Sequence, residues 1–515
     1  MNVWGVIKRG FMYYPGQVAL IHGDQQVTYR EFEVQINKLA NVFRGLGLEK
    51  GDAVSVLGEN SVMVLAAQYA LIKSGLVWAP LNFRNHPNEH AHYLNNAEAK
   101  AVVLQGQFAQ GIASIRDQLT SCRHFIVHGG ECEGMLSYDD QMDQAGDEPF
   151  DAGVDENDVL CILHTSGTTG KAKGVVHTQK NWLIMTMMIQ SLLDIRKTDV
   201  ALYIAPTNHG SGLLVGPHLV MGVKNVLVSH MDLDFILRLI QTEKVTTMWL
   251  APTIIYFLLA YPGIRDYDFS NLRNLCYSSA PMSVEKIKEA IDVFGNHFNQ
   301  TYGLVECPMI SNLEVEEHLV DGRPEQVKRL GSAGREIILT DVRVVDDQGR
   351  DVKTGETGEI IVRSPLVMQE YWKNPEATAQ TLKDGWLYTG DMGSLDEAGY
   401  LFIADRKKDM IITGGYNVYP KEVEDVIFKH PAVFEAAVIG VPDEIWGESV
   451  KACVVLKPGL EATEEEIIAL CKENLASYKK PKSVDFIDAL PKNLTGKVLK
   501  SQLREKYWQG RERRV

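Results

Sequence analysis

Long apolar runs are missing from this sequence. Its most hydrophobic stretch, residues 62–81, is broken by Gln68, Lys73 and Ser74. No segment therefore supplies the roughly 20 apolar residues that a membrane-spanning helix needs. The opening residues, MNVWGVIKRGFMYYPG, lack the apolar core of a secretory signal, and a cytoplasmic location is expected. Cysteine is sparse: Cys122, Cys132, Cys161, Cys276, Cys307, Cys453 and Cys471 are odd in number and widely spread. They read as free thiols rather than a disulfide framework. Basic residues are outnumbered, 52 Lys and Arg against 67 Asp and Glu, for a formal net charge of −15. Such a chain is a poor bulk match for nucleic-acid phosphates or anionic lipid, although it can hold a local basic pocket. Gly (43) and Pro (19) are dispersed without repeats, which excludes collagen-like, coiled-coil and disordered classes. The remainder, 515 residues of which 45% are hydrophobic and 23% charged, is the composition of a globular protein with roughly three domain-sized units of core.

Through the first 300 residues, short β-branched runs (AVSVL at 53–57, AVVL at 101–104, VLCIL at 159–163) alternate with helical patterns such as 29–46 and 181–193. That alternation predicts an α/β fold, a large layered N-terminal domain built on parallel sheets. After about residue 335 the texture becomes β-rich. Residues 342–345 followed by Asp346-Asp347-Gln348-Gly349 predict a hairpin, and 359–362 and 400–403 continue as strands. The last stretch is different again. Pro420 opens a helix with Val423, Val426 and Ile427 on one stripe, Thr463 and Glu466 form a capping box, and strands are expected at 436–441, 450–456 and 484–487. These elements predict a small, mobile α+β C-terminal domain. The charged run Asp405-Arg406-Lys407-Lys408-Asp409 suits a solvated joint, dividing the chain into 1–405 and 406–515.

The strongest chemical signal follows the strand at 159–163: His164-Thr165-Ser166-Gly167-Thr168-Thr169-Gly170-Lys171-Ala172-Lys173-Gly174. Three glycines and four hydroxyls let backbone N–H groups converge on an anion, and Lys171 and Lys173 add charge. It is not a Walker A loop, which needs four residues before Gly-Lys and a following Ser or Thr. His86, His90 and His92, and Cys122, His124, His128 and Cys132, lack the spacing of a common zinc site. Taken alone, Glu306 and Lys497 are ordinary solvated charges.

The loop resembles the signature of the adenylate-forming superfamily, T-S-G-T-T-G-x-P-K-G, with Ala172 in place of Pro. That superfamily includes acyl-CoA synthetases, aryl-CoA ligases, luciferases and peptide-synthetase adenylation domains. Further matches follow in the family's order across nearly the whole chain. Ser279-Ala280-Pro281-Met282 resembles the G-A-P stretch beside adenine, and residues 299–306 resemble Q-x-Y-G-x-T-E. The resemblance implies that Asn299, Thr301, Tyr302 and Gly303 line the nucleotide, with Tyr302 a flat face for the purine. It also implies that Glu306 and the carbonyl of Thr165 hold Mg²⁺. Val305 stands where relatives usually carry Thr.

Trp386-Leu387-Tyr388-Thr389-Gly390-Asp391 resembles the T-G-D motif, which implies ribose binding by Asp391. Ile403 and Arg406 would flank the nucleotide, and Lys408 would be the pivot between domains. Pro491-Lys492-Asn493-Leu494-Thr495-Gly496-Lys497 resembles P-K-T-x-x-G-K, which makes Lys497 the expected cation of adenylation. Thr413-Gly414-Gly415-Tyr416 is similar to the segment that lines the pantetheine channel, and Pro206-Thr207-Asn208-His209-Gly210 to the segment whose His gates the acid site. Ser278 stands where relatives often carry Gly, so it would narrow or polarise the wall of the acid pocket. No Asp near Pro206 is placed to hold a substrate ammonium. The family thus implies an AMP-forming acid–CoA ligase using ATP, Mg²⁺ and coenzyme A on a fatty or aryl carboxylic acid, with catalytic residues Lys497, Glu306 and His209. A carrier-protein acceptor and a non-catalytic nucleotide-binding relative are the rival readings, and a homodimer is left open.

Overall fold

The β-branched runs become strands because each is buried on both faces, as a parallel sheet covered by helices requires. The structure is a computed structural model that describes residues 1–165, 172–208, 210–280, 282–492 and 496–509. In an eight-stranded sheet, Val77–Leu81, Ala53–Leu57, Ala101–Gln105 and His124–His128 run parallel, and Val159–His164 joins alongside Val77–Leu81 before the chain returns as antiparallel Gly174–Thr178. A nine-stranded sheet has the parallel series Val18–His22, Lys224–Leu227, Val200–Tyr203, Thr247–Leu250, Asn274–Tyr277 and Phe298–Tyr302. The apolar stretch that opens at Val62 is the helix Val62–Ser74, and all of its residues are buried. A helix that is apolar all round belongs inside a layered core rather than on its surface. Among the described residues, no helix is long and apolar enough to cross a membrane.

The β-rich section forms a third, antiparallel sheet of Asp341–Val345, Gly358–Arg363, Trp386–Leu395 and Leu401–Arg406. The expected hairpin at 342–349 is only half realised. Its turn closes, with the Gly349 N–H donating to the Asp346 carbonyl at 2.9 Å. The returning chain pairs only briefly, through the Asp346 N–H to the Arg350 carbonyl, the Val352 N–H to the Val344 carbonyl and a bridge from Val345 to Asp351, and the longer partner strand is Gly358–Arg363. A separate core begins with Ile411–Thr413. Val433–Asp443 and Gly447–Leu456 pair along their length, Ser483–Phe486 joins in parallel, and helices Pro420–Ile427 and Glu464–Asn474 cover one face. Pro420 sits in the first helical turn, and Thr463 and Glu466 form the reciprocal cap. The terminal helix Lys500–Trp508 covers the other face through Leu503.

The N-terminal helix Val3–Tyr13 crosses Val215–Met221 so closely that a Cβ on Gly10 would lie 1.7 Å from the Leu219 carbonyl oxygen. Gly45, at the end of the helix Tyr29–Gly45, has open space around the same position. Gly10→Ala is expected to destabilise by about 2 kcal/mol through backbone displacement. Gly45→Ala is expected to be neutral or to stabilise by up to about 1 kcal/mol, because it only restricts the unfolded chain. Thermal unfolding of both variants beside the parent checks the contrast.

Candidate active site

Three chain segments meet at one buried carboxylate. Tyr302 ends the parallel strand Phe298–Tyr302, Asp391 lies within Trp386–Leu395, and Arg406 closes Leu401–Arg406, where it pairs in register with Asp391. The Tyr302 hydroxyl donates to Asp391 Oδ2 at 2.8 Å, and Arg406 Nε lies 3.1 Å from Oδ1. Asp391 is 5% exposed, and such partners offset the cost of burying a carboxylate. Burial, reinforced by Asp391, pushes the Tyr302 hydroxyl far above its ordinary pKa, so it remains a donor. Each carboxylate oxygen keeps acceptor capacity beyond these two bonds.

Beyond Tyr302 the chain turns sharply. A Cβ on Gly303 would lie 2.1 Å from the Pro308 carbonyl oxygen, so only glycine fits. The turn is held from below by His177, whose Nε2 lies 2.7 Å from the Val305 carbonyl. Burial lowers the pKa of His177 to about 4, so it is neutral and donates from Nε2. Glu306 follows. Its Oε1 accepts the Tyr371 hydroxyl at 2.7 Å, and its backbone carbonyl accepts from Met368 N–H. Lys173 Nζ stands 4.5 Å from the centre of the Tyr371 ring. The Lys173 carbonyl accepts the Thr165 N–H at 3.0 Å, which closes the base of the glycine-rich loop. Glu306, Lys173 and Thr165 are thereby tied to one another.

The small domain contributes Lys497. Its loop is stapled by a bridge between Lys492 and Val498 and by Leu499 N–H donating to the Pro491 carbonyl at 2.8 Å. Across the cleft, the Thr253 hydroxyl donates to the Gly496 carbonyl at 3.0 Å. Phe434 packs against Phe257 of the same helix, Pro252–Leu259, with ring centres 6.1 Å apart. Burial first and the Arg406 charge second lower the Lys497 pKa to about 8, against the opposing pull of Asp391, Asp409 and Asp405. Lys497 therefore shares one electrostatic environment with the Asp391–Arg406 pair. Lys408, in the turn Lys407–Asp409, is likewise lowered to about 8 by burial and Arg406.

The remaining sequence-derived residues fall in several places. Asn299 is buried in the sheet, with its amide donating to Asn274 Oδ1, and Thr301 is bonded to Asn312. Ile403 pairs with Gly393, two positions from Asp391. Ser279 and Ala280 follow the strand Asn274–Tyr277, and Ser278 accepts from Trp249 Nε1 at 2.8 Å. Gly414, Gly415 and Tyr416 lie on the small domain, where Tyr416 is 58% exposed and stacks on Tyr478. Ser166, Gly167, Thr168, Thr169, Gly170, Lys171, His209 and Pro281 lie outside the described residues. Sequence reasoning missed Tyr371, His177 and Thr253. Tyr371 and His177 reach their partners only through strand pairing (Tyr371 opposite Val175), and no local pattern marks them.

Chain-wide comparison agrees with this geometry. The family model "AMP-binding enzyme" matches residues 8–372, and "AMP-binding enzyme C-terminal domain" matches 422–497. The chain belongs to the AMP-binding enzyme family. A feruloyl-CoA synthase of Amycolatopsis is 37% identical over 498 residues, covering 96% of each chain. The long-chain-fatty-acid–CoA ligase FadD13 of Mycobacterium tuberculosis is 37% identical over 493 residues, covering 94% of each. Among solved structures, an anthranilate CoA ligase in complex with anthranoyl-AMP superposes with a TM-score of 0.91 at 29% identity, covering 98% of this chain and 97% of that one.

Within this AMP-binding enzyme, Ser279 has φ +75°, a left-handed backbone that disfavours side chains. Ser279→Gly is expected to raise stability by about 0.5–1 kcal/mol, the strain relieved less the added chain entropy. A urea titration reads the shift, and a lower midpoint would show that the Ser279 side chain makes a compensating bond.

Proposed function

We propose that this protein is an AMP-forming acid–CoA ligase that works in two half-reactions. The carboxylate of a fatty or aryl acid attacks the α-phosphorus of ATP, forming acyl-AMP and releasing pyrophosphate. The thiol of CoA then attacks the acyl carbon, forming the thioester and releasing AMP. The observation that carries this reading is the arrival of Lys497, from the small domain, beside the Asp391–Arg406 pair of the large one. Negative charge grows on the α-phosphate as the carboxylate attacks, and a cation about 4 Å away at an effective dielectric near 20 contributes about 4 kcal/mol. That corresponds to roughly a thousandfold in rate.

The other residues take roles that suit their chemistry. Asp391 accepts from the ribose hydroxyls with its remaining lone pairs, and Arg406 holds that carboxylate in place. The described residues fit Mg²⁺, because Glu306 Oε2 takes no hydrogen bond among them while Oε1 is fixed by Tyr371. With the Thr165 carbonyl, Glu306 is a hard oxygen pair for such an ion. Bound there, Mg²⁺ would neutralise phosphate charge. Val305 offers no hydroxyl to the α-phosphate, so Lys497 and the loop at 165–173 carry more of that stabilisation. His209 is assigned to gate the acid.

The thioester step needs a different surface. Gly414 and Gly415 lie with exposed Tyr416 and with Trp446, which is 48% exposed, and the Gly414 N–H donates to the Trp446 carbonyl. Adjacent glycines rimmed by aromatic rings suit a thin, partly apolar ligand such as pantetheine. One cleft cannot hold the Lys497 loop and this face together. The small domain, the part of the chain beyond Lys408, therefore turns on that residue between the steps. The reading places the protein in the cytoplasm, where ATP, CoA and free thiols coexist.

Lys497→Ala is expected to lose most acid-dependent pyrophosphate exchange, roughly a hundredfold or more, while still converting supplied acyl-AMP to acyl-CoA. Because the protonated amine is the active form, exchange by the parent falls as pH rises through about 8. In Lys497→Arg that limb moves far to the alkaline side. Equal loss of both half-reactions in Lys497→Ala would contradict the assignment.

A further inference from the structure

A turn on Lys408 sorts the charged pairs around the joint into those that travel together and those that must part. Leu401–Arg406 is hydrogen-bonded into the large domain's antiparallel sheet, with Asp405 opposite Met392. Asp405 therefore stays with the large domain. Lys500 starts the terminal helix, which packs on Ala437 and Ile439 of the small domain through Leu503. Yet Lys500 Nζ lies 3.1 Å from Asp405 Oδ2, and both side chains are nearly buried. By contrast, Asp409 and Arg504, paired at 2.7 Å and equally buried, both lie beyond the pivot, whereas Lys407, Asp347 and Glu359 all lie before it.

Lys500 has a second partner. Its amine is 2.9 Å from Oε1 of Glu424, on the small-domain helix Pro420–Ile427, and the same oxygen accepts the Val438 N–H. When Asp405 departs, Lys500 keeps a buried carboxylate, and Asp405 is left at the mouth of the opened joint. Neither charge is stranded in the interior, which is the outcome that makes breaking a buried pair prohibitive. The pair is also close in sequence to the chemistry, because Lys500 is three residues beyond Lys497 on a segment whose base is stapled at Pro491–Leu499.

We propose that the Asp405–Lys500 ion pair is a latch that holds the small domain in the adenylating arrangement, making these two positioning residues for Lys497. The inference rests on the two-step reading above. With the latch closed, Lys497 is seated and the Gly414–Gly415 face points to solvent. Opening it exchanges the Asp405 contact for the Glu424 contact alone and releases the domain to turn.

The test measures both half-reactions separately in the full-length enzyme: acid-dependent pyrophosphate exchange, and acyl-CoA formation from supplied acyl-AMP and CoA. Asp405→Asn should slow exchange about tenfold, the worth of one charge-assisted bond, while thioester formation stays equal or becomes faster. Asp409→Asn, which weakens a pair beyond the pivot, should leave the ratio of the two rates unchanged at pH 6.5, where its pull on the Lys497 charge no longer matters. Measurements at pH 6.5, well below the Lys497 value of about 8, separate the latch from a direct effect of Asp405 on the Lys497 charge. A direct effect would vanish there, and the latch effect would persist. The proposal is overturned by equal slowing of both steps, by no slowing, by a deficit that disappears at pH 6.5, or by the same change of ratio in Asp409→Asn at pH 6.5. A parent enzyme that performs neither half-reaction overturns the functional reading and the latch with it. A parent that performs both, with no change of ratio in Asp405→Asn, overturns the latch alone.

Discussion

The carboxylate of Asp391 is buried, and burying a carboxylate is costly unless donors and a cation are fixed around it. Tyr302 and Arg406 do this from two different sheets. The requirement joins the end of the parallel series in the nine-stranded sheet to the antiparallel third sheet at one point. It also sets Arg406 immediately before the joint between domains. A change that frees Asp391 would leave both Arg406 and the Tyr302 hydroxyl without their partner, so the end of the strand Phe298–Tyr302 and the chain entering the joint at Arg406 depend on the same contact.

Around that point the charges are balanced closely. Burial first, and repulsion among Arg406, Lys408 and Lys497 second, lower both lysines to about 8. Asp391, Asp405 and Asp409 oppose this, and Arg504 and Lys500 in turn compensate the acids. For the proposed turn, an arrangement of this kind costs little to rearrange, provided each group keeps a partner. Glu424 gives Lys500 such a partner.

Much of the fold was legible in the sequence because it rests on local patterns. The run AVSVL is a fully buried strand, Thr463 and Glu466 cap their helix, and Pro420 opens another. The hairpin at 342–349 is only partly realised because its turn is genuine while the long ladder forms with Gly358–Arg363, which begins nine residues beyond Gly349. At the site, residues within motifs were readable and their supports were not. Tyr371 bonds Glu306 across 65 positions, His177 holds Val305 across 128, and Thr253 meets Gly496 across 243. Contacts over such distances depend on strand order and domain apposition, and neither leaves a local trace.

The central claim is that the acid's own oxygen attacks the α-phosphorus, and isotope transfer tests this most directly. The enzyme is supplied with ATP, CoA and an aryl or fatty acid labelled with ¹⁸O in both carboxylate oxygens, and the products are weighed by mass spectrometry. The account predicts one ¹⁸O in AMP, one in the acyl-CoA, and none in pyrophosphate. Label in orthophosphate, with ADP in place of AMP, would mean attack at the γ-phosphorus and would contradict it.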